Sequence, residues 1–549
     1  MRGTRERNGW IAIGLVLTMY SLLCLAPPAY AQERVDSLVS AEWLQRNIGR
    51  ADLLLLDAQP PPLHKKAHIP GAVNVSVYSY AAREQSAAEM QRLMRSWGIG
   101  SDRTVVVYDQ GGDWFATRLY FELHLNGLPA GKLLLLDGGL RRWQAIGGTV
   151  TADATPPPAA GSIEIANRRD AVLARLPAVL AASGDVAGHA LIDALEPEYY
   201  YGPLTFFDRA GHIPNAALLP RPDFFNADGT FKSPEELRRM VAYHGIRAEQ
   251  QIITYCGGGG AASVPWFALS VVAGYPRVGM YVGSTLDWLR DDRGLPFWTY
   301  AASTLMRDAA WVDASTGKML RGFGLARVRV VDVRSADAYR QGHLPAAVNL
   351  PAEHFATQAR DPQALTAALS QAGLKPTDEA VVVSIGGLNG DAALAFALLE
   401  QAGQQKVSLL MESVDDWGLR GRPLDKPSAP AEAKAAPAAT SAAYRPARPR
   451  DAIVTEAHAP GGIYPTVLLA SGRAPLQSTA PGTIHVPYTD LLNADGTPKA
   501  AKDIWTILAK AGLPRHARVV CVADDPREAA INYYILRLMG WPDVRVLVR

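Results

Sequence analysis

Short, almost purely apolar runs recur along the chain, and polar or glycine-rich punctuation separates each from the segment that follows. Leu53 to Asp57 (LLLLD), Thr104 to Tyr108 and Lys132 to Leu136 are the first three. A run with no polar alternation reads as a strand buried on both faces, which is the pattern of a parallel sheet. Leu191-Ile192-Asp193, Gln251 to Tyr255, Val330-Val331-Asp332, Val381 to Ser384, Arg518 to Val522 and Asp543 to Val548 read the same way. Helical segments lie between them, one from about Trp114 and another over the apolar stretch Val264 to Val272. Strands alternating with helices predict an α/β fold, a parallel sheet covered on both faces, with any site outside the carboxyl ends of the strands.

The runs are organised as a repeat. A strand ending in Asp is followed by a turn, His68-Ile69-Pro70-Gly71 in the first copy, Gly211-His212-Ile213-Pro214 in the second and Gly342-His343-Leu344-Pro345 in the third. From each histidine to the first residue after the central strand (Asp109, Cys256, Ile385) the distance is 41, 44 and 42 residues. From there to Trp143, Trp288 and Trp417 it is 34, 32 and 32. A fourth, weaker copy keeps Ala480-Pro481-Gly482 and a central strand leading to Ala523, and stops on its last strand. Four tandem units follow, the last truncated: 32–153, 162–300, 301–426 and 451–549. Residues 427–450, rich in Ala and Pro, read as an extended linker long enough to let the fourth unit move independently.

One of the four loops carries a nucleophile. The stretch QIITYCGGGGAAS places Cys256 at the end of a strand, ahead of Gly257, Gly258, Gly259, Gly260, Ala261 and Ala262 and a helix. Glycines leave no Cβ between the main-chain N–H groups and the loop centre and admit positive φ, so such a loop can cradle negative charge on sulfur. A buried strand-end cysteine with a flexible turn is the alternative.

Composition narrows the rest. The 549 residues are 48% hydrophobic and 20% charged, which suits several ordinary globular cores. Arg2, Arg5 and Arg7 precede the uncharged run Asn8 to Ala26, and Ala29-Tyr30-Ala31 supplies small residues for cleavage, so residues 1–31 are expected to be a signal peptide of an exported, periplasmic protein. An uncleaved membrane anchor is the alternative. Removing that segment takes the formal charge from +2 to zero, which gives no electrostatic support to a nucleic-acid partner. Cys24, Cys256 and Cys521 are the three cysteines, too few for a disulfide scaffold, with a Cys256–Cys521 pair left open. CxxC, HExxH and metal-spaced His/Cys clusters are absent, so neither a metal nor a cofactor is indicated.

These residues resemble the rhodanese (sulfurtransferase) superfamily. The LLLLDA and LIDA strands, the AHIPGAV, GHIPNAA and GHLPAAV turns, the YCGGGGAA loop and the segments leading to the three tryptophans carry the resemblance. It implies four rhodanese-like domains, the first inactive with Asp109 in the cysteine position and the second catalytic. Cys256 would take sulfane sulfur from a donor such as thiosulfate or 3-mercaptopyruvate, hold it as a persulfide, and pass it to cyanide or a thiol. Arg209, three residues before His212, stands where family arginines meet an anionic donor. The glycine loop lacks the polar side chains that distinguish donor classes, and Val282 and Leu195 replace an acid and an arginine. A Cys-x5-Arg phosphatase loop is excluded, because Ala262 occupies the arginine position.

The remaining candidates read as structural. The three histidines and three tryptophans recur in copies without a cysteine, which points to turn-fixing and packing. Cys521, inside its strand, is expected in the core, and Asp109 with Arg118 could form an ion pair within the first unit. The rival functional reading is a non-catalytic exported scaffold or binder of sulfur compounds, with units 1, 3 and 4 as candidates for holding a protein partner.

Overall fold

The computed structural model describes residues 37–548 apart from 82–83, 324, 359–360, 427–443, 446–448, 458–461 and 477–479. The expected signal segment therefore lies outside the described residues, as does most of the Ala/Pro linker. Among the described residues no helix is long and apolar enough to cross a membrane.

Four parallel sheets follow one another. The first contains β1 (Leu38–Val39), β2 (Leu53–Asp57), β3 (Val73–Asn74), β4 (Thr104–Tyr108) and β5 (Leu133–Leu136) in the order β1-β5-β4-β2-β3. The second has β6 (His189–Asp193), β7 (Ala216–Leu218), β8 (Gln251–Tyr255) and β9 (Val278–Met280) in the order β7-β6-β8-β9. It is the first pattern without its edge strand, which survives as a single parallel bridge, Leu173 to Met280. The third sheet, β10 (Met306–Arg307), β11 (Val328–Asp332), β12 (Val348–Asn349), β13 (Glu379–Val383) and β14 (Lys406–Leu410), repeats the first order as β10-β14-β13-β11-β12. The fourth does so again with β15 (Ile453–Val454), β16 (Thr466–Ala470), β17 (Ile484–His485), β18 (Arg518–Val522) and β19 (Val544–Leu547), in the order β15-β19-β18-β16-β17.

The recurring residues do the same work in each unit. His68, His212 and His343 bond through Nδ1 to the carbonyls of His64, Tyr200 and Tyr339 at 2.8, 3.0 and 3.0 Å. Trp143, Trp288 and Trp417 donate Nε1–H to Thr149, Pro296 and Pro423 carbonyls at 2.9, 3.0 and 2.9 Å. Each buried indole thus carries its one polar atom to a backbone acceptor, which removes the cost of leaving it unpaired.

The units pack in pairs through the helices that follow their central strands. In the first pair α1 (Phe115–Leu125) meets α2 (Ser263–Phe267), and Thr117 and Ser263 share a hydrogen bond of 2.8 Å across the seam. Pro265 lies in the first turn of α2, where its missing N–H has no acceptor to serve. In the second pair α3 (Gly390–Gln401) lies along α4 (Pro526–Leu538), with Phe396 edge-on to Tyr534 at 4.9 Å. One apolar core runs through both members of each pair.

This overturns the expectation that the fourth unit moves independently. Its core is continuous with that of the third, Tyr444 is buried with its hydroxyl on Gln404 at 2.9 Å, and Arg450 packs beside Glu400. Burying a continuous apolar face stabilises far more than a flexible connection costs in entropy. The fourth unit also grips the second: Tyr201 donates to Met539 O at 2.7 Å and Tyr243 to Ala517 O at 2.6 Å.

Candidate active site

Cys256 follows β8 directly and is 2% exposed. Its own N–H donates to Ser284 Oγ at 3.1 Å, its carbonyl accepts from Thr285 N–H at 3.0 Å, and Gly257 O accepts from Leu286 N–H at 3.1 Å. The loop is thereby laced to the 281–286 segment. Ser284 adopts φ 53, a left-handed conformation that few side chains other than Asn or Asp favour, and it is this backbone turn that presents its hydroxyl to the loop.

Gly259 N–H reaches Cys256 Sγ at 3.2 Å, and it is the one main-chain donor to the sulfur among the described residues. Gly260 and Ala261 instead offer their carbonyls to Ser263 and Val264 N–H at 3.1 Å each, opening α2, and Ala262 O accepts from Thr254 Oγ1 at 2.9 Å. Of the six residues expected to form a cradle, Gly259 is the one whose N–H meets the sulfur itself, and the Ser284 hydroxyl adds a longer contact at 3.9 Å. Only Gly259 among the four glycines has positive φ, 83°, and a Cβ there would meet Val282 O at 2.5 Å. A Cβ on Gly258 would meet nothing, one on Gly257 would approach the Phe206 ring at 3.3 Å, and one on Gly260 would strike Trp114 of the first unit at 2.8 Å.

A cleft of about 400 Å³ opens beside the loop, between units 1 and 2, with Gly258 and Val282 on one wall and Tyr80 and Arg118 on the other. Arg118 comes from α1, is 5% exposed, and pairs with Glu122 at 2.6 Å. Burial works against its charge, but Glu122, Tyr80 and a thiolate on Cys256 outweigh that and raise its pKa. Tyr80 lines the cleft, is buried, and its hydroxyl has no partner among the described residues. Burial raises its pKa and holds it as a phenol. Farther out, Arg175 clamps Glu84 through two bonds of 2.7 and 2.8 Å and ties the second unit to the first.

Two sequence expectations are corrected here. Asp109 does not pair with Arg118: its carboxylate accepts Gly111 and Ala116 N–H at 2.7 and 2.9 Å, folding the first unit's loop onto itself. Arg209 donates to Leu295 O at 2.9 Å beside the Phe297 ring and does not line the cleft that contains Gly258. Cys521 lies fully buried in β18, where burial pushes its thiol well above the usual range. Cys256 and Cys521 are both free, so the pairing left open by the sequence is not formed. No group of three His, Cys, Asp or Glu that could hold a metal is found among the described residues.

Burial raises the Asp109 pKa to about 6 in spite of its two N–H donors. A carboxyl whose folded pKa exceeds its unfolded value favours folding while protonated, so its contribution is lost as pH rises from about 4 through about 6. Relative to Asp109→Asn, the wild type should lose on the order of 2–3 kcal/mol of stability over that window. Denaturant unfolding of both proteins at pH 4, 5, 6 and 7 measures it, and a pH-independent difference would contradict the assignment.

A family profile described as Rhodanese-like domain matches residues 40–146, 177–291 and 315–419, more than half of the chain. The chain belongs to the rhodanese-like domain family. The fourth sheet lies outside those matches yet repeats the strand order of the first and third. The sulfur carrier protein TtuD of Thermus thermophilus is 32% identical over 284 residues, covering 47% of this chain and 95% of that protein. A probable 3-mercaptopyruvate sulfurtransferase of Pseudomonas aeruginosa is 33% identical over 282 residues, with 47% and 96% covered. A putative thiosulfate sulfurtransferase of Saccharopolyspora erythraea is 30% identical over 269 residues, with 46% and 94% covered. Among solved structures, an anaerobic ergothioneine biosynthesis enzyme from Chlorobium limicola is 22% identical with a TM-score of 0.44, covering 49% of this chain and 71% of that one. Rhodanese-like relatives of this chain are thus named as sulfur carriers and sulfurtransferases.

Proposed function

We propose that this rhodanese-like protein is a sulfurtransferase whose Cys256 carries sulfane sulfur as a persulfide. The observation that supports the reading best is that Cys256 Sγ accepts the Gly259 N–H beside a cleft lined by Arg118 and Tyr80. In the first half-reaction the Cys256 thiolate attacks the outer sulfur of a donor. A new S–S bond forms, the donor's bond to that sulfur breaks, and the leaving group departs with the electron pair, as sulfite does from thiosulfate. In the second, cyanide or a thiolate attacks the outer sulfur of the persulfide and the Cys256 thiolate leaves.

The chain's residues supply what these steps need. Negative charge moves to the outer persulfide sulfur and to the leaving group, and preorganised N–H, O–H and guanidinium donors stabilise it without competing as nucleophiles. Arg118 suits a carboxylate or sulfur oxyanion on the donor, and the Tyr80 phenol can donate one further hydrogen bond. Steady-state kinetics with thiosulfate or 3-mercaptopyruvate and cyanide should give the parallel double-reciprocal lines of a double displacement. Intersecting lines would argue against a persulfide shuttle. Replacing the buried pair together, Arg118→Gln with Glu122→Gln, removes the cation without stranding a carboxylate. It should raise KM for an anionic donor about tenfold or more, with little change in the cyanide half-reaction. An unaltered KM would remove Arg118 from donor binding.

A non-catalytic scaffold is the second reading, and the other three loops favour it. Asp109 is consumed by its own loop, Ile385 is 77% exposed, and Ala523 closes the fourth, so none of these positions offers a nucleophile.

A further inference from the structure

A second cavity, of about 440 Å³, lies where units 2 and 4 meet, away from Cys256. Its cationic wall is Arg450, Arg515 and Arg537, and no acidic side chain lines it among the described residues. The acids that balance these arginines stand behind the wall. Glu400, on α3, serves both Arg537 at 3.1 Å and Arg450 at 3.7 Å, while Asp223 pairs with Arg515. Two carboxylates thus pair with three guanidiniums that border the cavity, and Asp543, the other acid acting on Arg450, is already paired with Arg518 and Arg545. Arg450 feels the cost: burial and the neighbouring Arg537 both lower its pKa.

Aromatic side chains share the rest of the wall with small and aliphatic residues and Asn215, and the polar tips of three of them are bonded to backbone carbonyls. Tyr201 donates to Met539 O at 2.7 Å, Tyr243 to Ala517 O at 2.6 Å, and Trp541 Nε1–H to Pro514 O at 3.0 Å. With those atoms satisfied, what these three nearly buried side chains show the cavity is carbon. His244 Nε2, in the same wall, has no partner among the described residues. Cavities of this size with an apolar lining and a few placed polar groups are the usual form of a small-molecule site.

We propose that the seam between units 2 and 4 binds a small aromatic oxyanion, with its phosphate or carboxylate head on Arg450, Arg515 and Arg537 and its flat body against the guanidinium planes and the apolar wall that Tyr201, Tyr243 and Trp541 border. Guanidinium groups match such heads through paired N–H donors and stack readily on flat rings. The site needs both units, so its occupant would also strengthen the contact between the two halves of the chain. None of its residues takes part in the sulfur-transfer cleft.

Isothermal titration of the full chain with phenyl phosphate, inorganic phosphate and phenol tests the assignment. Phenyl phosphate should bind at one site per chain, at least about tenfold more tightly than either fragment. Arg515→Gln should weaken it about tenfold or more, and Ala242→Phe, which fills the cavity from its rim without removing charge, should do the same. The Arg118→Gln, Glu122→Gln protein should bind it as wild type does. Binding lost in that protein but kept in Arg515→Gln would place the ligand in the catalytic cleft and overturn the proposal. So would the absence of saturable binding up to about 10 mM, or equal affinity in wild type, Arg515→Gln and Ala242→Phe.

Discussion

Cys256→Ser should lower kcat/KM for sulfur transfer by at least about a thousandfold, while Cys521→Ser should leave it within about twofold of wild type. The asymmetry follows from where the two thiols stand. Cys256 sits at the end of β8, takes the Gly259 N–H, and lies within electrostatic reach of Arg118. Cys521 is enclosed within β18, one residue before its end, paired in register with Leu469 and Val546 on either side. A serine hydroxyl has nearly the size of the thiol but neither its nucleophilicity nor its capacity to hold sulfane sulfur, so the first substitution removes the chemistry and leaves the fold. Comparable losses in both variants would show that the reactive sulfur has been misplaced.

Gly259→Ala should cost about ten- to a hundredfold in kcat/KM, and Gly258→Ala should be nearly silent. The neighbours differ in one respect that decides the outcome. Gly259 has φ 83 and no room, since its Cβ would lie 2.5 Å from Val282 O. Relaxing that contact must move the N–H that points at Cys256 Sγ. Gly258 has an ordinary φ and open space around its Cβ. Removing one preorganised donor from a developing anion typically costs a few kcal/mol, and displacing it without removing it should forfeit about 1.4–2.7 kcal/mol of that, the equivalent of the expected loss. Equal activities for the two variants would show that the Gly259 N–H is not what stabilises charge on the sulfur.

Much of this arrangement was legible in the chain because it is local. The apolar runs marked β2, β4, β8 and β18 to the residue, and β5, β13 and β19 to within a residue or two, since strands buried on both faces leave no polar positions to blur their ends. Spacing of histidine, loop and tryptophan recovered the repeat, and a cysteine before four glycines marked the loop. Which N–H faces the sulfur was not legible, because four identical glycines differ only in the φ that their surroundings impose.

Residues contributed across a seam were harder to find. Arg118 and Tyr80 reach the cleft from the first unit, and their role depends on α1 docking against α2, which the sequence of either unit does not express. One signal was present. In FATRLYFELHL, a helix buried nearly all round, Arg118 and Glu122 are a charged pair four residues apart, and such charges are rarely placed inside without a task. The docking of the fourth unit was hidden for a similar reason: the composition of residues 427–450 describes a connection, whereas the contact is made by α3 and α4, whose buried faces read as ordinary core helices.

The central claim is that Cys256 carries the transferred sulfur. Intact-mass measurement of the reduced protein after brief exposure to thiosulfate or 3-mercaptopyruvate, followed by removal of the donor, tests it most directly. The account predicts a gain of about 32 Da, placed on Cys256 by peptide mapping, lost on adding cyanide and absent from Cys256→Ser. No added mass with either donor, or the same gain in Cys256→Ser, would contradict it.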